Sequence, residues 1–273
     1  MKLRWQVRLP RAISLAETLD LSAFRRPMAG VPARVEAAIL RGVQTGPDVP
    51  FAGAASLLKT GGDGLTDGVV RNSDGMLVVA CLTELPGNTP SMWDWWFGWH
   101  GISSERYRLW HPEDHVWSGV SEDRGDVAGL RERYVGLNSY VDERIASPEV
   151  LKLTISFRSP SSFGLDQAEV DRVGTAVCAR VGFRGTPINT GRLIHLIRRT
   201  DHGSEMLSRF WLGDVEMDLP LVGRLLSPLL NTRQRRMRLL PDQTGLNLLR
   251  HCAMEMNHLG SILPSLHQRF GSP

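Results

Sequence analysis

Residues 242–268 read "DQTGLNLLRHCAMEMNHLGSILPSLHQ". Leu248, Cys252, Met256, Leu259 and Leu263 recur at the helical period and line one face, and Leu249, Ala253, Met254 and Ile262 widen it. A helix apolar over so much of its circumference is buried against another layer. The segments ahead of it offer strands for that layer. "MLVVACLTEL" (76–85) reads as a buried strand, and "VLKLTISFRS" (150–159) and "AVCARVGF" (176–183) are β-like. "GRLIHLIRRTDHGSEMLSRFWLG" (191–213) reads as two strands joined at Asp201-His202-Gly203, a hairpin signal. Strands first and a long helix last is an α+β order, a curved antiparallel sheet gripping a C-terminal helix. Such a shape encloses a cavity between sheet and helix, a natural small-molecule pocket.

The remaining segments are less regular. Thr89 followed by Pro90 is a helix start before "SMWDWWFGWH" (91–100). Trp93, Trp95, Trp96 and Trp99 cannot share one helical face, although Trp95 and Trp99 can, so most are expected in the core. Residues 110–135 read as loop, and "MDLPLVGRLLSPLL" (217–230) as a short apolar helix broken by prolines. Residues 1–74 form a region of their own, rich in arginine (Arg4, Arg8, Arg11, Arg25, Arg26, Arg34, Arg41). It carries one short helix from Pro32 to Arg41 and a turn-rich "TGGDGLTDG" at 60–68. Residues 75–273 form the main domain.

Bulk properties narrow the class. In 273 residues, 42% hydrophobic and 22% charged, the formal net charge is +3, too small by itself to point to nucleic acid. The basic run "RQRRMR" (233–238) reads as a solvated face, without interleaved aromatics. No segment approaches the ~20 apolar residues of a membrane span, and the amino-terminal stretch lacks the apolar core of a secretory signal. Cys81, Cys178 and Cys252 are scattered among apolar neighbours without a CxxC pair, as expected of reduced core residues in a cytoplasmic protein.

Within the long helix, His251 and Glu255 lie about 40° apart around the axis and ~6 Å apart along it, so their side chains can converge on one point. His258 is ~10.5 Å further along the axis than His251, too far for the same ion. The pair is either an i,i+4 charged pair on a wetter face or half of a metal site. Other ligands would come from "RLWHPEDHVW" (108–117), with His111, Glu113, Asp114 and His115, and from "YVDERIASPEV" (140–150), with Asp142, Glu143 and Glu149. A set of histidines and glutamates suits zinc, and spacing alone does not select its members.

Five blocks taken together resemble a known family. "WWFGWHG" (95–101), "RYRLWHPEDH" (106–115), "VDERI" (141–145), "SRFWLG" (208–213) and "RHCAMEMNHLGSILP" (250–264) are similar to the 2,4-diacetylphloroglucinol hydrolase family, phloretin hydrolase-like enzymes included. The resemblance covers about residues 75–270. It implies a helix-grip (Bet v 1-like) fold with a small N-terminal helical region that makes homodimer contacts. It implies one Zn2+ held by His115, Glu143, His251 and Glu255, with Glu149 the alternative to Glu143. The implied reaction is hydrolysis of the carbon–carbon bond between an acyl group and a polyhydroxylated aromatic ring, on a small aromatic ketone.

That chemistry asks for particular groups. An acylphloroglucinol protonated at its acyl-bearing carbon becomes a β-diketone, and water adding to the side-chain carbonyl then lets the ring leave as a stabilised carbanion. A metal provides Lewis acidity, and proton transfer needs a nearby acid or base. By resemblance the catalytic residues are Tyr107, His202 and Glu143, with Tyr107 able to bind a ring hydroxyl. His100 reads as a structural hydrogen-bonder. The family's asparagine after the first histidine ligand is replaced by Ser118 or a neighbour, and no tyrosine occurs at 214–225. Those departures leave room for two other readings of the same fold, a non-catalytic small-molecule carrier and an aromatic polyketide cyclase or lyase. Converging metal ligands are the feature a carrier does not need.

Overall fold

The computed structural model describes residues 12–59, 62, 64–219 and 222–271. The arginines at 4, 8 and 11 and part of the 60–68 turn lie outside them. Eight strands form one antiparallel sheet: β1 (Gly68–Arg71), β2 (Leu77–Pro86), β3 (His115–Val120), β4 (Asn138–Glu143), β5 (Leu151–Arg158), β6 (Gly174–Phe183), β7 (Ile188–Thr200) and β8 (Gly203–Met217). Their spatial order is β1-β2-β8-β7-β6-β5-β4-β3. The helices are α1 (Ala33–Arg41), α2 (Pro90–Trp99), α3 (Ser104–Trp110), α4 (Gln167–Val173), α5 (Val222–Leu230), α6 (Arg233–Leu239) and α7 (Asp242–Phe270). Pairing of β1 with β2 carries the sheet across position 74. No helix among the described residues is long and apolar enough to cross a membrane.

The sheet is covered on both faces, which explains why β2 reads as an unbroken apolar run rather than an alternation. Leu77, Val79, Cys81 and Leu85 point into the core shared with α7. Met76 and Val78 point the other way and join Ile194, Leu196, Leu207 and Trp211 in a second core. Residues 51–58, the turn at 160–163 and α4 cover that second face.

Helix α7 lies on the first face, against β2, β1, α1, α2 and α3. Leu249, Cys252, Ala253, Met256, Leu259, Ile262 and Leu263 are buried, as the periodicity predicts. Leu248 and Met254, read as part of the same face, are half-buried. Two glycines allow the close approach: a Cβ at Gly245 would stand 2.6 Å from Val69 Cγ1, and one at Gly260 would stand 2.6 Å from Leu85 Cδ2. In α2, Trp93, Trp95 and Trp96 are buried. Asp94 among them accepts hydrogen bonds from the Tyr134 hydroxyl (2.7 Å), Thr175 Oγ1 (2.8 Å) and Arg131 Nε (3.2 Å), which satisfies a carboxylate inside an apolar helix.

Several readings change. The loop expected at 110–135 contains β3, whose apolar residues are split by a β-bulge after His115 and therefore lack a clean alternation. The basic run at 233–238 is helix α6 and is only partly solvated. Arg236 is buried, with Nε donating to Gly213 O (2.8 Å), and Arg233 Nε donates to Ser73 O (3.2 Å). All three cysteines are buried and unpaired.

Segments from the first 50 residues meet both outer strands. Ile13 pairs with Val120 of β3 and Gln44 with Val70 of β1. Val35 and Ala38 of α1 join the core of α7. Leu259 is fully buried and Leu40 is 88% exposed. Leu259→Ala is therefore expected to cost about 2–5 kcal/mol in urea unfolding, and Leu40→Ala about 0.5 kcal/mol or less.

Candidate active site

A cavity of about 150 Å³ lies between the sheet and α7. That is roughly the volume that takes up one benzene ring in an engineered protein cavity. Its walls are mainly apolar, from Phe97 of α2, Trp110 of α3, Leu153, Ile155 and Phe157 of β5, Leu193 of β7, Phe210 of β8 and Leu248 of α7. Trp93, Trp95 and Trp96 do not line it, and the tryptophan that does is Trp110.

At one end, four ionisable side chains meet. His115 and Glu143 are direct cross-strand partners on β3 and β4, so both project to the same face. His251 and Glu255 come from successive turns of α7. His115 Nε2 lies 3.8 Å from Glu143 Oε2 and 3.5 Å from Glu255 Oε2, and His251 Nε2 lies 3.7 Å from Glu255 Oε2. Ligands ~2.0–2.1 Å from a tetrahedral ion stand roughly 3.3 Å apart, and His115, His251 and Glu255 lie close enough to one another to hold one ion, with Glu143 approaching on the His115 side. His115 Nδ1 donates to Tyr107 O (3.0 Å), which leaves the Nε2 lone pair facing the cluster. Glu149 is exposed and does not line the cavity.

Electrostatics support the same conclusion. Burial pushes the Glu255 carboxyl up to about 8 against the pull of His251, with Glu143 and Asp114 adding to the rise. Burial disfavours the charged form of His251, yet Glu255, Asp114 and Glu143 outweigh it and raise the ring to about 8. Burial also raises Glu143. Burial and His251 hold His115 well below the ordinary histidine value. Arg192 is the arginine in the lining, and its guanidinium turns away, 4.0 Å over the Phe51 ring. Without a metal the cluster retains protons to offset buried negative charge; a divalent cation bound by two imidazole nitrogens and two carboxylates would replace them. The donor set therefore fits a metal.

Tyr107 packs flat on His115, ring centroids 3.8 Å apart and planes 4° apart, and its hydroxyl donates to Glu143 Oε2. Burial and Glu143 raise its phenol well above 10, so it stays protonated. His202 is not part of the site. It sits exposed at the β7–β8 turn, where its carbonyl accepts from Gly87 N (2.9 Å), and it does not line the cavity. The cavity's imidazoles outside the cluster are His195 and His100. His195 Nδ1 is bonded to Ser208 Oγ at 2.8 Å, and burial lowers the ring to about 3. Burial lowers His100 to about 4, and its Nδ1 donates to Trp96 O (2.7 Å). Both are neutral hydrogen-bonding groups facing the cavity. Sequence reasoning missed His195. The available signal was parity, since His195 shares its strand face with the apolar Leu193 and Ile197. Ser118 has a buried Oγ without a partner among the described residues and does not line the cavity.

The model of the DAPG hydrolase PhiG domain family matches residues 50–268. A 2,4-diacetylphloroglucinol hydrolase of Pseudomonas protegens is 29% identical over 206 residues, 72% of this chain and 66% of that protein. The chain thus spans just under two thirds of that relative's length. A phloretin hydrolase of Eubacterium ramulus is 28% identical over 254 residues, 89% of this chain and 87% of the relative. A crystal structure of a Chromobacterium violaceum protein aligns at 13% identity with a TM-score of 0.30, covering 60% of this chain and 96% of that one. A likeness that low has no bearing on the fold.

The protonation pattern has a consequence for the metal-free protein. His251 and Glu255 hold protons in the folded state up to about 8, against ordinary values of 6.5 and 4.5, so their contribution is full at low pH and is lost as pH rises through about 8. His115, His100 and His195 act in the opposite sense, costing stability as pH falls below the ordinary histidine value. The urea midpoint of the metal-free protein is expected to fall between pH 6.5 and pH 8.5, and Glu255→Gln is expected to shrink that fall.

Proposed function

Since the chain belongs to the DAPG hydrolase family, we propose that it is a zinc-dependent hydrolase of acylphloroglucinol-type ketones. It cleaves the bond between acyl carbon and ring carbon. One water is consumed: its oxygen ends in the carboxylic acid, and a proton takes the place of the acyl group on the ring. The names of the relatives, 2,4-diacetylphloroglucinol hydrolase and phloretin hydrolase, support the substrate class. The convergence of His115, His251 and Glu255 at one end of an apolar, ring-sized cavity, with Glu143 beside His115, carries the reading. A carrier has no use for that convergence. The helix-grip (Bet v 1-like) description of the fold belongs to the same proposal.

His115, Glu143, His251 and Glu255 hold the zinc, which when bound supplies Lewis acidity toward a carbonyl oxygen and toward water. The apolar walls seat the ring and exclude bulk water. His195 and His100, both neutral, bind ring hydroxyls without adding charge to the cavity. Tyr107 keeps its phenolic proton in the hydrogen bond to Glu143, which fixes that carboxylate beside the cluster, and its oxygen lines the cavity where it can accept a hydrogen bond from a ring hydroxyl.

Elemental analysis tests the metal. One zinc per chain is expected in the wild type and none in His251→Ala or Glu255→Ala. Release of acetate from acetylphloroglucinols tests the reaction, and a well-folded wild type that takes up no zinc and releases no acid sinks the proposal. Tyr107→Phe is expected to retain zinc and to lower kcat/KM by up to about 10-fold, through the lost hydrogen bonds to the ring and to Glu143. His202→Ala is expected to leave the rate unchanged.

A further inference from the structure

Asp114 lies outside the cluster, yet it touches all three elements that build it. It is the last residue of the turn between α3 and β3, next to His115. Its Oδ2 accepts from His251 Nδ1 on α7 at 3.0 Å and from the Ala146 backbone N–H, just beyond β4, at 3.3 Å. Its backbone carbonyl accepts from Arg144 N (2.9 Å), next to Glu143. Its own N–H donates to His111 Nδ1 (3.0 Å). Ala146 has φ of +46°, the only positive value of a non-glycine among the described residues. A left-handed alanine persists where its surroundings hold it, and the Asp114 carboxylate is one such hold. The His111 ring lies on the His251 ring, centroids 4.8 Å apart and planes 8° apart, so the imidazole is clamped on its face as well as at its edge.

We infer that Asp114 is a positioning residue for the metal centre, fixing the tautomer and rotamer of His251; the inference rests on the zinc reading above. A neutral imidazole that donates from Nδ1 must carry its lone pair on Nε2, the nitrogen that faces Glu255. The two histidines of the cluster are thus aimed alike by unlike partners. His115 donates to a neutral carbonyl and His251 to a carboxylate, which also makes the second ring the stronger electron donor. The competing role for these atoms is a second ion held by His111, Asp114 and His251 themselves. The hydrogen bonds argue against it: His111 Nδ1 accepts the Asp114 N–H, which in the neutral ring puts the proton on Nε2, 3.5 Å from Asp114 Oδ2, and His251 Nδ1 points its own proton at Asp114.

The test is the zinc dissociation constant of the full chain, measured by chelator competition for the wild type, Asp114→Ala, Asp114→Asn and His251→Ala. Asp114→Ala is expected to bind about 10–100-fold more weakly. Asp114→Asn keeps an oxygen acceptor without the charge, and is expected to recover part of that loss. Thermal melting of each metal-free variant is recorded alongside, because a purely structural role would lower the melting midpoint and leave zinc affinity untouched. Zinc bound as tightly by both Asp114 variants as by the wild type overturns the inference, whatever their melting midpoints. So does a wild type with two zinc ions per chain of which Asp114→Ala loses one and keeps the other at full affinity. A wild type that takes up no zinc fails differently, overturning the zinc reading and this inference with it.

Discussion

Glu255 has to be buried because the helix that carries it has to be buried. Leu249, Cys252, Met256 and Leu259 leave α7 no arrangement that keeps its apolar face out of water except against the sheet, and Glu255 lies within that face. A carboxylate carried inward in this way must be met by a cation, a metal or a set of donors. Here it meets two imidazoles and a second carboxylate, Glu143. The position of β3 and β4 follows from the same requirement. The bulge after His115 and its direct pairing with Glu143 bring the sheet's contribution to the point where α7 presents its own.

The two-faced burial of the sheet lets such a centre coexist with a stable fold. The second core, around Trp211, Ile194 and Leu196, contains none of the cavity's histidines or carboxylates. Stability from that side does not depend on how the charged end of the cavity is occupied. The cavity side, by contrast, mixes apolar wall and titratable groups, and its hydrogen bonds run between elements far apart in the chain. His251 and Asp114 are separated by 137 positions, Tyr107 and Glu143 by 36.

Those separations explain what could be read in the sequence and what could not. The helical period of α7, the strands β2, β5 and β6, and the β7–β8 hairpin are local patterns, and each is visible in a window of ten to thirty residues. The i,i+4 relation of His251 and Glu255 is local too, so half of the cluster was legible without the fold. The other half was not derivable from spacing, because nothing near 115 or 143 records that these strands are neighbours; the family resemblance supplied it. Strand β3 escaped notice because a bulge breaks its alternation. His202 drew attention because a histidine at a hairpin turn is conspicuous, whereas His195, seven positions earlier, was hidden inside a run that looked like ordinary core.

The amino-terminal segment contributes no side chain to the four-residue cluster, yet it occupies both open margins of the sheet. Ile13 exchanges backbone hydrogen bonds with Val120 (2.7 and 2.8 Å), and Gln44 does the same between Val69 and Arg71 (2.8 and 2.9 Å). An outermost strand with free N–H and C=O groups is a template on which another chain can add itself. One of these margins is β3, the strand that carries His115. A chain trimmed to residue 50, where the family match begins, would expose both margins at once. Its first failing would then be self-association rather than lost chemistry, with foreign strands docking beside His115.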